Sequence, residues 1–157
     1  MQVQQVMSAN VTFCRLGSNL AAATELLWTM DVGALPVVDD GGNVLGIVTD
    51  RDICIALGTR NVPASDVLVD DVMAKEVWTC RPDDDMADVL RLMGDAQVRR
   101  LPVIDDHEKL CGIVSLNDLA LHTGIGKTEV TGIDILAALV TICAPHTERS
   151  HAAIAAG

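Results

Sequence analysis

The sequence contains almost no aromatic residues: it has no tyrosine, one phenylalanine and two tryptophans among 157 residues. Half of the residues are nevertheless hydrophobic, so the core must be built from aliphatic side chains. Positive charge is also scarce, since 11 lysines and arginines stand against 22 acidic residues and leave a net charge of −11. A general phosphate-backbone binder needs the opposite balance, so nucleic acid is not an expected partner.

Signals for disulfides, membranes and secretion are missing as well. The five cysteines are odd in number and none is spaced as Cys-x-x-Cys, which argues against a disulfide framework. No apolar run approaches the roughly 18 residues that a membrane span needs. The N-terminus has neither the basic nor the apolar segment of a signal peptide. These features predict a cytoplasmic protein with no membrane partner.

One pattern occurs twice in the chain. The stretch LPVVDDGGNVLGIVTDRD, residues 35–52, returns as LPVIDDHEKLCGIVSLND, residues 101–118, at a constant step of 66 residues. The step holds without a gap from Val6 to Ile53, and about 17 of these 48 aligned positions are identical. This self-similarity indicates an internal duplication. Because a unit of about 50 residues buries little surface alone, we expect the repeats to form one structure together.

Each repeat is predicted to fold as strand–helix–strand–strand–helix, which gives an α/β (α+β) fold. In the first repeat, apolar spacing and turn composition place these elements at 11–14, about 19–30, 35–38, 44–48 and 49–57. Gly58 is expected to end the last helix. The predicted division is repeat 1 at 1–58, a linker at 59–66, repeat 2 at 67–122 and a C-terminal extension at 123–157.

The C-terminal extension differs in kind from the repeats. It contains a predicted helix at about 133–143 that is apolar nearly all round, so the helix must be buried against its own domain or a partner. Short helices are expected at 2–7 and 67–73, ahead of each repeat. Residues 147–157 are small and polar, and we expect them to be mobile.

The strand-to-helix junctions carry the residues with chemical potential, namely Thr49 and Asp52 in the first repeat and Ser115 and Asp118 in the second. One interpretation is structural, because Thr-x-x-Asp and Ser-x-x-Asp have the spacing of a helix capping box. The other is a nucleotide site. A helix N-terminus attracts phosphate, the hydroxyl adds a donor, and a carboxylate one turn later can accept ribose hydroxyls. The spacing alone leaves both interpretations open.

Taken together, the VM pair, the amphipathic helix, LPVVD and GIVTDRD, repeated in tandem, resemble the CBS domain pair, also called a Bateman module. The likeness covers about Val6–Leu121, and both repeats are complete. It implies a β-α-β-β-α unit in each repeat, with the two sheets packed about a pseudo-two-fold axis. It also implies clefts between the repeats that bind adenosine-containing ligands such as AMP, ADP, ATP, S-adenosylmethionine or NAD.

The resemblance also implies which residues line these clefts. The family's ribose aspartate corresponds to Asp52 and Asp118, and its phosphate-side hydroxyl to Thr49 and Ser115. Its adenine pocket corresponds to the entry of the second strand in each repeat: Val32, Gly33, Ala34, Leu35 and Pro36, and Val98, Arg99, Arg100, Leu101 and Pro102. The first strand of each repeat, at 12–14 and 78–80, forms the other wall and supplies the candidates Phe13, Thr79 and Cys80.

The two clefts are not expected to be equal. Phe13 stands where the second repeat has Thr79, which predicts a narrower first cleft. In this family a basic pair before the LPVID stretch can contact phosphates, so Arg99 and Arg100 are candidates; a solvated pair on a surface turn is the alternative. Arg51 is a further candidate for a phosphate contact.

We expect the cleft that carries Asp118 to bind more tightly, with Thr79 and the arginine pair beside it. On that basis Asp118→Ala should weaken the tightest site at least tenfold, whereas Asp52→Ala should do less. The alternative is that the arginines serve the neighbouring cleft, because the resemblance implies that phosphates lie near the pseudo-two-fold axis.

Other chemistry has little support. Acidic pairs at 39–40 and 105–106 are typical of hairpin turns, and the four histidines have no metal-site spacing, so no metal is expected. No catalytic triad, nucleophile elbow or phosphate-binding glycine loop is present, so no enzyme is expected.

The predicted function is a regulatory sensor that needs no cofactor and acts on an unidentified regulated protein. The alternative is a dimerisation scaffold with empty clefts. A homodimer is predicted through apolar helix residues that include Leu27, Trp28, Ile53, Ile55, Leu119 and Leu121, with the C-terminal helix at 133–143 as a further candidate for the contact.

Overall fold

The structure is a computed structural model that describes residues 1–123 and 129–145. Sequence interpretations of residues 124–128 and 146–157, including the mobile end, lie outside the described residues. Within the described part the fold is mixed α/β, as predicted, with two small sheets and five α-helices. No helix in that part is long and apolar enough to span a membrane.

The first repeat contains the elements β1 (Cys14–Arg15), α1 (Leu20–Thr29), β2 (Ala34–Val38), β3 (Val44–Thr49) and α2 (Asp50–Arg60). Strand β1 runs parallel to β2, and β2 is antiparallel to β3. Helix α1 begins where it does because the Asn19 side chain accepts a hydrogen bond from the Ala22 N–H. Its apolar face closes the core of this repeat, and every residue of β2 is buried.

The second repeat contains α3 (Met86–Asp95), β4 (Arg100–Ile104), β5 (Leu110–Ser115) and α4 (Leu116–Thr123). Its first strand is reduced to one parallel bridge between Cys80 and Val103. The antiparallel register repeats at the 66-residue step, because Ala34 lies opposite Thr49 and Arg100 lies opposite Ser115. The duplication is therefore preserved in the backbone pairing as well as in the sequence.

Each repeat is completed by a short segment that lies outside its own β-α-β-β-α unit. A 3-10 turn at Val3–Gln5 buries Val3 in the core of the second repeat, and Ser8 exchanges two backbone hydrogen bonds with Ile113 of β5. In the same way, a 3-10 turn at Val69–Asp71 buries Val69 in the core of the first repeat. Ala74, which follows it, exchanges two backbone hydrogen bonds with Ile47 of β3. These exchanged segments are the short helices expected at 2–7 and 67–73.

The C-terminal helix α5 (Gly132–Cys143) packs on the second repeat, mainly against α3. Ala138 and Ile142 are buried there. Its opposite face leaves Ile133, Leu136 and Val140 exposed. The expectation that this helix is buried therefore holds for one of its faces only.

Two boundaries differ from the sequence prediction. Helix α2 continues through Gly58 and ends at Arg60, because Asn61 adopts the left-handed conformation (φ 53°) that closes a helix. The strand predicted at 11–14 is shorter, since β1 pairs with β2 only through Cys14 and Arg15. Neither difference moves the strand-to-helix junctions.

The residues proposed for a dimer contact divide into two groups. Leu27, Ile53 and Leu119 are buried in the cores of their own repeats, so they are not free for a partner. The remaining three are exposed, namely Trp28, Ile55 and Leu121. Trp28, with 86% of its surface accessible, is the most exposed large hydrophobic residue described.

Candidate ligand site

Two clefts lie between the repeats, and each cleft is lined by residues of both repeats. In each cleft the strand-to-helix junction of one repeat faces the first-strand and second-strand entry segments of the other. The Thr49 cleft has a volume of about 430 Å³, and the Asp118 cleft about 350 Å³. Both volumes lie in the range of small-molecule sites.

The Thr49 cleft joins the start of α2 to residues 76–78 and 97–102. Trp78 is 44% exposed on its wall, and Ile142 of α5 contributes an aliphatic side chain. An indole ring beside aliphatic groups suits a flat, largely apolar base. The C-terminal helix, which lies outside the repeats, therefore forms part of this cleft.

The Asp118 cleft joins the start of α4 to residues 10–12 and 30–34. Positions lining the two clefts correspond at the 66-residue step: Thr12 stands where the other cleft has Trp78, and Gly33 where it has Arg99. The same backbone frame thus presents different side chains on its two sides.

The charges of the two linings are opposite in balance. In the Thr49 cleft three cations, Arg51, Arg99 and Arg100, accompany the two acids Asp50 and Glu76. In the Asp118 cleft Arg100 is accompanied by two acids, Asp31 and Asp118. The formal balance is therefore +1 for the Thr49 cleft and −1 for the Asp118 cleft.

Arg100 and Gly33 lie at the boundary of the two clefts and line both. A Cβ atom placed on Gly33 would lie 3.5 Å from Arg100 Nη1 and 3.6 Å from Asp50 Oδ2. The guanidinium and this carboxylate thus approach the same point of the backbone.

Both junctions form complete capping boxes. Asp52 Oδ2 accepts hydrogen bonds from the Thr49 N–H (3.0 Å) and hydroxyl (2.7 Å), and the Asp52 N–H donates to Thr49 Oγ1 (3.1 Å). Ser115 and Asp118 repeat this geometry at 2.8, 2.6 and 3.2 Å. The structural interpretation of the spacing is therefore correct at both junctions, whether or not a ligand also uses them.

The start of α2 has little free hydrogen-bonding capacity for an anion. Asp50 N–H donates to the Gly33 carbonyl, Arg51 N–H to Asp50 Oδ1, and Asp52 N–H to Thr49 Oγ1. These are the first three N–H groups of the helix, which would otherwise be available to a phosphate. An anion in the Thr49 cleft must therefore rely on the arginine side chains.

A third capping box stands outside both clefts. Thr131 and Asp134 begin α5 with the same spacing, and the Asp134 side chain accepts from the Thr131 N–H at 2.8 Å. The hydrogen bond from the Thr131 hydroxyl lowers the pKa of Asp134. The motif therefore caps a helix in this chain outside the two clefts between the repeats as well.

The sequence-predicted site residues fall into three groups. Those that line the Thr49 cleft are Thr49, Arg51, Gly33, Val98, Arg99, Arg100, Leu101 and Pro102. Those that line the Asp118 cleft are Val32, Gly33, Ala34, Arg100, Ser115 and Asp118. Those that line neither of these two clefts are Phe13, Leu35, Pro36, Asp52, Thr79 and Cys80.

The structure does not group these residues by repeat, and Arg99 lies where the alternative for the arginine pair had placed it. Arg99 lines the Thr49 cleft and not the Asp118 cleft, and Thr79 lines neither of them. Phe13 packs beside Arg15, whose guanidinium carbon lies 5.8 Å from the ring centre. The cause is the packing of the repeats, which sets the entry segment of one repeat against the junction of the other.

Several lining residues were not among the predicted site residues, and four of them add charge or connect a cleft to α5. Asp31 and Glu76 supply acidic groups, while Gln97 and Ile142 lie where α5 meets the Thr49 cleft. The Gln97 amide donates to two carbonyls near the end of α5. The sequence signal available for Asp31 and Gln97 was their equivalence at the 66-residue step, just ahead of the predicted entry segments. In the structure both residues have positive φ.

The two equivalent cysteines are structural. Burial raises the pKa of Cys14 to about 11 and is also the main cause that raises the pKa of Cys80 to about 12. Both thiols are therefore neutral near pH 7 and contribute as small apolar side chains. No group of three histidine, cysteine or acidic residues suited to a metal ion occurs in the described part of the chain.

The fold and clefts define a class: a duplicated α/β module with ligand-sized clefts between its repeats. The family model for the CBS domain matches residues 3–59 and 69–122. The chain therefore belongs to the CBS domain family, as the sequence resemblance implied.

Relatives support this membership at similar length. The uncharacterized protein YlbB of Bacillus subtilis is 37% identical over 121 residues, which cover 76% of this chain and 80% of that protein. The CBS domain pair of protein MJ0100, solved with 5′-methylthioadenosine and S-adenosyl-L-methionine, has 25% identity and a TM-score of 0.72, covering 79% of this chain and 96% of that one. CBSX2, solved with AMP, has 27% identity and a TM-score of 0.67, covering 77% and 94%.

Proposed function

We propose that this protein is a non-catalytic regulatory module that binds an adenosine-containing ligand between its repeats, with AMP, ADP or ATP favoured. The observation that carries the proposal is the Thr49 cleft, in which three arginines surround a cavity walled by Trp78. Relatives of the same fold were solved with AMP, S-adenosylmethionine and 5′-methylthioadenosine. NAD remains a possible ligand of the same class.

The binding mode follows from the lining. The base is placed against Trp78 and the neighbouring aliphatic residues, and the phosphates face Arg51, Arg99 and Arg100. An arginine holds a phosphate through two parallel, charge-assisted hydrogen bonds, each about twice as strong as a neutral one. This mode places the anionic end of the ligand where the lining is most positive.

Signalling is proposed to work by linkage. A ligand that contacts both repeats favours the arrangement in which those contacts are best, by no more than its difference in affinity between arrangements. Exposed apolar residues on the helices, including Trp28 and Leu121, are the proposed contact to a second copy or to a regulated protein.

Isothermal titration calorimetry and thermal unfolding with AMP, ADP, ATP, S-adenosylmethionine and NADH test the proposal. A ligand at 100 times its dissociation constant should add about 2.7 kcal/mol to the free energy of unfolding. If none of these compounds at millimolar concentration produces heat or a shift in melting temperature, ligand sensing is the wrong function.

A matched pair of arginine variants locates the phosphate. Arg99→Gln removes a charge from the Thr49 cleft and should weaken AMP binding tenfold or more, since charged hydrogen bonds contribute about 1.5–3 kcal/mol. Arg91→Gln removes an equally exposed arginine on α3, outside both clefts, and should leave AMP affinity unchanged. Equal losses in the two variants would mean a nonspecific charge effect.

A dimerisation scaffold with empty clefts is the second candidate. It is favoured by the capping boxes, because Asp52 and Asp118 already have partners within the protein. Sedimentation of the protein with and without AMP separates the two functions. A scaffold should dimerise without responding to nucleotide, whereas a sensor should bind it.

A further inference from the structure

We propose that the two clefts take different classes of adenosine derivative: a phosphate-bearing one in the Thr49 cleft, and one with an uncharged or cationic 5′ group in the Asp118 cleft. This inference rests on the proposed function and deepens it. Its basis is the opposite charge of two linings that the same backbone frame presents.

At three pairs of equivalent positions, the Asp118 cleft has the less positive lining. Asp118 itself lines this cleft, whereas its equivalent Asp52 does not line the Thr49 cleft. Asp31 stands where the Thr49 cleft has the neutral Gln97, and Asn117 where it has Arg51.

Each lining holds two carboxylates, but three arginines offset them in the Thr49 cleft and only Arg100 does so in the Asp118 cleft. A phosphate in the Asp118 cleft therefore meets net repulsion, at a cost that grows as the cleft excludes water. A nucleoside or an ammonium-bearing analogue carries no such penalty, and the ammonium gains attraction instead. The lining of the Asp118 cleft therefore disfavours phosphate, the group that the lining of the Thr49 cleft favours.

The shared arginine strengthens the distinction. Arg100 lines both clefts, and its guanidinium lies near Gly33 at their boundary. Two phosphate-bearing ligands would compete for this one group. A ligand without phosphate in the Asp118 cleft leaves Arg100 free for the Thr49 cleft, so both clefts can be filled together.

Three probes that differ only at the 5′ position test this: AMP, adenosine and 5′-amino-5′-deoxyadenosine. The Trp28→Phe protein keeps Trp78 as its sole tryptophan, so its fluorescence reports on the Thr49 cleft. Calorimetry counts the sites. AMP should bind one site and change the fluorescence of Trp78. The amino analogue should still bind a second site when AMP is saturating.

Two variants of the Asp118 cleft reverse its preference. Asp31 has φ 51°, a conformation that asparagine tolerates, so Asp31→Asn removes the charge without disturbing the turn. This variant should bind the amino analogue on the order of tenfold more weakly and should bind AMP with unchanged affinity. Adding Asn117→Arg, at the position equivalent to Arg51, should create a second AMP site.

The outcomes separate this inference from the function beneath it. If AMP binds two sites of equal affinity in the unaltered protein, or displaces the amino analogue completely, the charge assignment is wrong although the sensor function stands. If the double variant gains no AMP site, the assignment is also wrong. If none of the three probes binds, the proposed function itself fails, and the inference with it.

Discussion

The Thr49 cleft and the Asp118 cleft share one backbone arrangement but are lined by different side chains. Strand pairing, bulge position and capping geometry repeat at the 66-residue step, with cap distances that agree within 0.2 Å. The side chains that face the cavities do not repeat, since Trp78 replaces Thr12 and Arg99 replaces Gly33. Buried positions fix the backbone, whereas lining positions can change charge without disturbing it.

The same step supplies matched variants, and the core pair should show the largest effect. Leu20 and Met86 are equivalent, fully buried first residues of α1 and α3. Leu20→Ala and Met86→Ala should each cost about 3 kcal/mol in the free energy of unfolding, because each leaves a cavity. Urea denaturation measures both. A cost below 1 kcal/mol for one of them would show that the two cores are not equivalent.

Substitutions of the equivalent glycines in β3 and β5 should have a smaller effect on stability, and one that differs between the repeats. A Cβ on Gly46 would lie 2.4 Å from Met73 Sδ and 3.0 Å from the Ala74 carbonyl oxygen, whereas on Gly112 it would lie 2.9 Å from Met7 Sδ. We expect Gly46→Ala to cost about 2 kcal/mol and Gly112→Ala about 1 kcal/mol, since overpacking displaces the neighbouring segment. Thermal unfolding of both variants measures which one loses more stability. A larger loss for Gly112→Ala than for Gly46→Ala would contradict the prediction.

The second residues of α2 and α4 should distinguish the clefts without affecting the cores. Arg51→Ala removes an exposed cation from the Thr49 cleft and should weaken AMP several-fold, the size expected for a partly screened charge. Asn117→Ala, its equivalent in the Asp118 cleft, should leave AMP affinity within twofold. Calorimetric titration decides. Similar losses in both variants would place AMP in both clefts.

The smallest effect is expected in the hairpin turns and depends on pH. Hydrogen bonds from Asn43 chiefly lower the pKa of Asp39, and the backbone of Lys109 does the same for the equivalent Asp105. A lowered pKa adds stability above the unfolded value near 3.8, and this stability is lost as the pH falls through the folded value.

Asp39→Asn and Asp105→Asn should therefore reduce melting temperature at pH 6 more than at pH 3. Scanning calorimetry at both pH values gives the comparison. A reduction independent of pH in either variant would mean that its carboxylate charge is not what stabilises that turn.

The sequence was sufficient for local structure but not for the composition of the clefts. The repeat and the apolar spacing predicted α1 within a residue or so, because the spacing acts over one helical turn. Which entry segment faces which junction depends on how the repeats pack, and no local pattern records that. The sequence therefore left two clefts open for Arg99, and it gave no indication that Ile142 lines one of them.

The exchanged segments give the two repeats different schedules during synthesis. Residues 67–74, which complete the first repeat, follow α2 directly, so that repeat can close once they have been made. The N-terminal segment must wait for partners at Asp84, Met86 and Ile113, because its backbone hydrogen bonds are made with them. At about 5–20 residues per second the delay between the two events is roughly 2–8 seconds. We expect the first repeat to fold during synthesis while the N-terminal segment still lacks its hydrogen-bonding partners in the second repeat.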